Sequence, residues 1–400
     1  MQILDVFDVI IVGAGPSGST LGYYLSHNWF KVLIIEKKKL PRYKPCGGGV
    51  TRRASNILPF DFNHVVEDYS LTAKILLNNK EVFSKAFDSP VVSMVMRDKF
   101  DLFLINKAKE QGVVVKYKTK FLSIDGDLGR LTVKTSKGYY KTNIIVGADG
   151  VLSKVAKELK LNIDYKIMIA LGAELYFSDK KILDRYKTTV HYDFGVIRHG
   201  YGWVFPKFDH LSVGVLSVRK DKSIKSQFYK YLKTKKLDAN SEIKTLRAHL
   251  IPYNPAKGNR YANDKGLIIG DASGHVDPIT GEGVYYAIKG AQIAAKTIIN
   301  YLNNDIQSLE EFDVELKRQI SKDLERAKIL ASLLYSFPAF GYKVLQIYGQ
   351  QIGEKHLKVI TGKKSYSELF RELLNPLIIL DLFFPIVNKL KVIKWYDCRN

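Results

Sequence analysis

One stretch near the start of the chain constrains the fold more than any other: FDVIIVGAGPSGSTLGYYLSHNWFKVLIIEKK, Phe7 to Lys38. Phe7 to Val12 is a short apolar run rich in β-branched residues, the pattern of a strand buried on both faces. Gly13, Gly15 and Gly18 follow it in G-x-G-x-x-G spacing. Pro16 then opens a helical pattern with Leu21, Tyr24 and Leu25 on one side. A second run, Lys31 to Ile35, ends at Glu36 and Lys37. Each part has a mechanical role. The first glycine makes a tight turn, the second lets backbone approach a pyrophosphate, and the third lets the helix lie on the strand. The helix start at Pro16 and Ser17 receives phosphate charge. Glu36 is placed to accept hydrogen bonds from a pair of ribose hydroxyls, which selects FAD or NAD over NADP.

Two later segments decide between them. KTNIIVGADGVLSKVAKEL carries a strand, Asn143 to Val146, that runs into Gly147-Ala148-Asp149-Gly150. KGLIIGDASGHVDPITGEGVYYAIKGAQIAAKTI carries another, Gly266 to Ile269, that runs into Gly270-Asp271. Asp271, at a strand end, is placed to bond the hydroxyls of a long cofactor. The Gly281–Gly283 turn, with Val284 after it, opens a helix whose N-terminus can face the pyrimidine edge of a flavin, where negative charge develops on reduction. The cofactor expected is therefore FAD, with no metal.

The chain divides by pattern. Alternating runs between about Asp164 and Ile251 read as antiparallel strands with one helical insert, KSIKSQFYKYLKTKK. LTAKILLNNKEVFSKAF reads as a hairpin turning at Asn78-Asn79 and joining the same sheet. From about Asn303 the chain reads as helical, ending in a helix from roughly Leu377 to Ile393. The expected class is α/β: a discontinuous Rossmann-type FAD-binding domain (1-70, 91-163 and 252-303), a mixed or antiparallel β-sheet substrate domain (71-90 and 164-251), and a helical C-terminal region (304-400).

Composition narrows the setting. The two cysteines, Cys46 and Cys398, make no disulfide framework and point to a reducing cytoplasm. The start has no signal-peptide pattern, and no apolar run reaches the roughly 20 residues that span a bilayer. The formal net charge of +22 fits nucleic acid, anionic lipid or general solubility and decides nothing alone; a peripheral contact with anionic membrane, or attraction of reduced ferredoxin, would draw on it. No nucleic-acid-binding motif accompanies it.

The three glycine-bearing segments, in this order, resemble the flavoprotein reductase and hydroxylase superfamily typified by p-hydroxybenzoate hydroxylase. MRDKFDLFLINKA extends the resemblance: Arg97 opens a helix with Phe100, Leu104 and Ala108 on its buried side, and the superfamily arginine contacts the cofactor. By the same analogy, backbone near Phe121 lies by the adenine. Within that superfamily the chain resembles the geranylgeranyl reductases, in particular the archaeal digeranylgeranylglycerophospholipid reductases. PRYKPCGGGV, Pro41 to Val50, is similar to their K-P-C-G-G element. YGWVFPK, Tyr201 to Lys207, is similar to Y-x-W-x-F-P, and GDASGHVDPITGEGVYYAI to the extended third cofactor segment. Ser273-Gly274-His275 departs from the pattern: His275 is either a local variation or an added titratable group near the expected pocket.

The resemblance implies reduction of isolated double bonds in a polyprenyl chain, by hydride from flavin N5 and a proton at the other carbon. It places Gly47 to Gly49 against the isoalloxazine and Cys46 at its edge. Lys44 and Arg42 beside Cys46 suggest an electropositive setting that lowers the thiol's pKa. Cys46, or a water it holds, is then the candidate proton donor, with Tyr201 and Trp203 lining the pocket roof. NADPH and reduced ferredoxin are both open as electron donors. Two other readings share the fold: a class A flavin monooxygenase, and a quinone-linked electron-transfer flavoprotein dehydrogenase.

Overall fold

A computed structural model describes residues 5–219, 222–239 and 241–373. The terminal helix expected over Leu377 to Ile393 lies outside the described residues, as does Cys398.

The opening motif forms as its pattern dictates. The strand Val6–Val12 is almost wholly buried and runs parallel to Val32–Ile35 on one side and to Gly138–Gly147 on the other. Val9 aligns with Val32 and with Ile144, so the apolar runs face one another. Parallel pairing continues to Val114–Lys116 at one edge and Gly266–Ile268 at the other. Antiparallel strands at Phe121–Asp125, Leu131–Thr135 and Ala262–Asn263 complete an eight-stranded sheet. The helices Pro16–His27, Arg97–Glu110 and Val284–Leu302 cluster together beside it. Phe100, Leu104 and Ala108 are buried as their spacing predicts.

A second sheet has seven strands. Its centre is Lys166–Phe177, His210–Ser217 and Gly200–Pro206, all antiparallel. The hairpin Thr72–Leu77 and Lys80–Ala86 adds to its edge by parallel pairing with Thr189–Phe194. Asn78 and Asn79 both take the left-handed conformation that such a turn requires. A three-stranded sheet, Gly49–Thr51, Val92–Val95 and Val66–Ser70, joins the two units and has no forerunner in the sequence reading. Its strands are short and far apart in sequence, so no local period announces them.

The helices Lys322–Tyr335, Pro338–Ile360 and Tyr366–Leu373 close the molecule, with Pro338–Ile360 lying on the strand Lys80–Ala86. Among the described residues no helix is long and apolar enough to cross a membrane.

The short helix Glu311–Leu316 docks through Asp313, which accepts the Tyr261 N–H at 3.0 Å. Burial raises the Asp313 carboxyl to about 6 against its ordinary 3.8, although that bond opposes the shift. A carboxyl raised by folding leaves stability intact below its unfolded value and costs stability as pH climbs through the folded one. Asp313→Asn, which keeps the acceptor, should therefore stabilise the protein by about 1 kcal/mol above pH 7, allowing for solvent screening, and by nothing near pH 4. Urea denaturation at the two pH values checks this; an equal gain at both would contradict it.

Candidate active site

A continuous cavity of about 1,100 Å³ runs between the two large sheets to the closing helices. It exceeds the roughly 300–1,000 Å³ of a usual small-molecule pocket. Every residue expected at the cofactor or at the chemistry faces it except Gly18. Gly18 lies where a Cβ would come 2.0 Å from the Gly13 carbonyl, so its part is the close seating of helix on strand.

At one end are the dinucleotide elements. Gly13, at φ +112°, donates its N–H to the Ile35 carbonyl at 2.8 Å. Gly15 caps the helix and has open space where a Cβ would stand. The Glu36 carboxylate accepts from the Ala14 and Lys38 N–H groups, one on each oxygen, which fixes it at the cavity wall with lone pairs to spare. Lys37 and Phe121 line the same end. Asp149 uses one oxygen to accept from Lys154 and Val155 N–H, while its other, buried oxygen has no partner among the described residues.

Further along, Asp271 meets Lys44 Nζ at 3.5 Å. Burial opposes its ionisation, but Lys44, His249 and Arg97 together hold it below the ordinary carboxylate range. The same surroundings, burial first and then Lys44, push His249 down to about 4, so its ring is neutral at physiological pH. The helix Val284–Leu302 begins at the Gly281–Gly283 turn. Its first N–H groups, at Gly283 and Val284, have no partner among the described residues and lie at the cavity wall. An open glycine cradle, an unpaired carboxylate oxygen and unpaired helix-start amides along one wall fit an elongated cofactor with a diphosphate centre and a polar ring.

The Pro41–Val50 loop crosses the middle. Gly48 stands at φ +72° and donates its N–H back to Cys46 Sγ at 3.4 Å. A Cβ on Gly48 would come 2.0 Å from the Val95 carbonyl, and one on Gly47 would come 2.7 Å from the Phe205 ring. The bend is therefore glycine-rich because neighbouring protein crowds it, the Val95 backbone at Gly48 and the cavity-lining Phe205 ring at Gly47. The cations beside the thiol differ from the sequence expectation. Arg42 pairs with Asp101 at 3.3 Å and Lys44 with Asp271. Cys46 is instead addressed by Arg97 and Lys207, both buried and both brought in by the fold. Lys207 donates to the Gly47 and Val95 carbonyls at 2.8 and 3.1 Å, which ties the bend to the second sheet.

That sheet supplies an aromatic wall. Tyr201 sits 5.6 Å from Tyr192 and 6.3 Å from Trp203, ring centre to ring centre, and Trp203 sits 6.4 Å from Phe205. Tyr201 donates its hydroxyl to the Thr280 carbonyl of the helix-start turn, while the buried Trp203 Nε1 has no partner among the described residues. Beyond the wall the lining turns apolar: Leu330, Leu334, Leu345, Leu357 and Ile360 from the closing helices.

His275 does not join the cavity lining. It is buried between Ser273 and Ser321, with a hydroxyl at 2.9 Å from each ring nitrogen. Burial holds it near 3, hence neutral, so the expected titratable group is a satisfied core residue. The sequence reading also missed a buried ion cluster under the turn. Arg53 pairs with Asp277 at 3.2 Å and, through Nε, with Glu282 at 3.0 Å. Tyr366 donates to the same Asp277 oxygen at 2.6 Å.

Comparison with known proteins agrees with this geometry. Residues 6–323 match the family of FAD binding domains. The geranylgeranyl diphosphate reductase of Synechocystis is 30% identical over 331 residues, which cover 78% of this chain and 79% of that one. Digeranylgeranylglycerophospholipid reductase 3 of Methanosphaera stadtmanae is 27% identical over 362 residues, covering 84% and 88%. Among solved structures, a geranylgeranyl bacteriochlorophyll reductase-like protein of Thermoplasma acidophilum has a TM-score of 0.78 at 19% identity, over 97% of this chain and 99% of that one, and so shares the fold.

Proposed function

The chain belongs to the FAD-binding-domain family and, within it, to the geranylgeranyl reductases; from this premise we propose that it is an FAD-dependent reductase saturating isolated C=C bonds of geranylgeranyl chains in isoprenoid membrane lipids or their precursors. The observation that carries this is the continuity of the cavity, from the dinucleotide turn past Cys46 and the aromatic wall to the apolar end. A long hydrocarbon with an anionic head suits an apolar channel in a strongly basic protein.

Reduced FAD supplies the hydride when bound. The protein's own groups do the rest. Gly13 to Ser17, Glu36 and Lys37 hold the nucleotide half, and Asp271, Asp149, Arg97 and Phe121 line its path. The Gly283 and Val284 amides take the polar ring edge, and Gly47 to Gly49 keep the backbone close. An isolated alkene has no carbonyl to polarise it, so alignment and exclusion of water must substitute for intrinsic reactivity. The apolar helices exclude water, Tyr201, Trp203 and Phe205 guide the chain, and Cys46 delivers the proton. Electrons come from NADPH bound transiently in a groove or from reduced ferredoxin drawn by the positive field. The protein works at the cytoplasmic face of an anionic membrane, where its substrate resides.

Anaerobic mixing tests this reading. Photoreduced holoenzyme mixed with geranylgeranyl diphosphate or a digeranylgeranyl glycerophospholipid should recover its yellow colour at a rate that rises with substrate. A flavin that stays bleached with both, yet reoxidises at once in air, would favour an oxygen-using enzyme and end the reductase reading.

A further inference from the structure

The ion cluster beneath the helix-start turn contributes more than packing. Arg53, at 6% exposure, is stacked over Tyr285 at 4.5 Å and Tyr286 at 5.2 Å. It faces two carboxylates, Asp277 and Glu282, so formally one positive charge meets two negative ones. Both carboxylates belong to the turn itself. Asp277 accepts the Ile279 and Thr280 N–H groups at 2.8 and 3.1 Å and exchanges backbone bonds with Gly281 and Glu282. Glu282 accepts from Thr51, which follows directly on the Cys46 bend. The turn therefore takes its shape from two buried anions, and those anions lie where the unpaired Gly283 and Val284 amides open on the cavity. Buried negative charge at such a place opposes the purpose of a helix N-terminus, which is to favour an anion. Among the described residues Arg53, reaching in from the short helix Arg52–Ser55, is the cation paired with both.

We propose that Arg53 is a positioning residue that sets the reduction potential of the bound flavin, by neutralising Asp277 and Glu282 beneath the amides that receive the ring's polar edge. This rests on the FAD assignment and not on the identity of the substrate. Reduction adds negative charge to that ring edge, and electrostatic interactions in a water-poor site are weakly screened. The sign then follows for each member of the cluster. Losing the cation disfavours reduced flavin, and losing one anion favours it.

The test is a pair of variants, Arg53→Met and Glu282→Gln, each reconstituted with FAD and read by dye-equilibrated redox titration without any isoprenoid. Arg53→Met should lower the midpoint potential by about 30 mV or more, a tenfold loss in preference for reduced over oxidised FAD for a two-electron couple. Glu282→Gln should move it upward. Opposite signs are what a merely structural role would not produce, since loosening the turn weakens the site in the same sense in both variants. Shifts in the same direction, or none, would overturn the proposal. If Arg53→Met does not fold, Glu282→Gln decides alone: an upward shift supports the proposal and any other result sinks it. With no substrate present, failure here and failure of the reductase reading are separate events.

Discussion

Gly13→Ala protein should purify colourless. At φ +112° the residue is in a region that L side chains rarely adopt, and a Cβ there would stand 2.2 Å from the Ala148 carbonyl oxygen and 2.8 Å from its carbon. Both atoms are backbone, held by the hydrogen bond from Ala148 N–H to the Val12 carbonyl at 2.9 Å. No rotamer relieves the overlap, so either the first turn or the Gly147–Gly150 segment must move. Strain of this kind costs about 1–3 kcal/mol by itself, and displacing a central parallel strand adds to it. Because both segments border the cofactor end of the cavity, FAD affinity should fall roughly 100-fold, about 2.7 kcal/mol. Fluorescence titration of the apoprotein with FAD measures it. Wild-type affinity in the variant would mean that the turn does not hold the diphosphate.

Cys46→Ala should show the reverse: full yellow colour with little turnover. The side chain is exposed toward the cavity and supports no core, so stability should change by no more than about 0.5 kcal/mol. Its sulfur accepts from the Gly48 N–H and from Arg97, two donors that orient it, with the Lys207 ammonium nearby. A positioned general acid contributes about 10²–10⁴-fold, so the reduction rate should drop at least 100-fold while FAD stoichiometry is unchanged. Single-turnover reoxidation with a geranylgeranyl substrate separates the effects. An unchanged rate would clear the thiol of any chemical part and leave a cavity water as the proton source.

How much was legible in the sequence follows from the range of each signal. The strand Val6–Val12, the helix from Pro16 and the helix from Arg97 carry period and punctuation within a dozen residues, and they form where the pattern puts them. The Asn78-Asn79 hairpin and its place in the second sheet follow from turn chemistry and alternation in the same way. What the sequence could not supply depends on side chains that meet across the whole chain. Arg53 reaches partners more than 220 positions away, and nothing near it marks an ion cluster. Lys207 follows YGWVFP like an ordinary solvated lysine at a strand end, yet it is buried against the Cys46 bend. Arg42 and Lys44 mislead for the opposite reason, since proximity in sequence does not put them at the thiol. The apolar end of the cavity comes from helices after Ser321, a region whose pattern favours plain docking on the core and so does not mark a channel wall.

The central claim is that a reducible FAD and a polyprenyl chain share this one cavity. The most direct measurement is mass analysis of a digeranylgeranyl lipid after anaerobic incubation with dithionite-reduced holoenzyme. A gain of two mass units for each saturated double bond, absent with apoprotein, is the predicted result. An unaltered lipid mass beside fully reduced, FAD-loaded protein would contradict it.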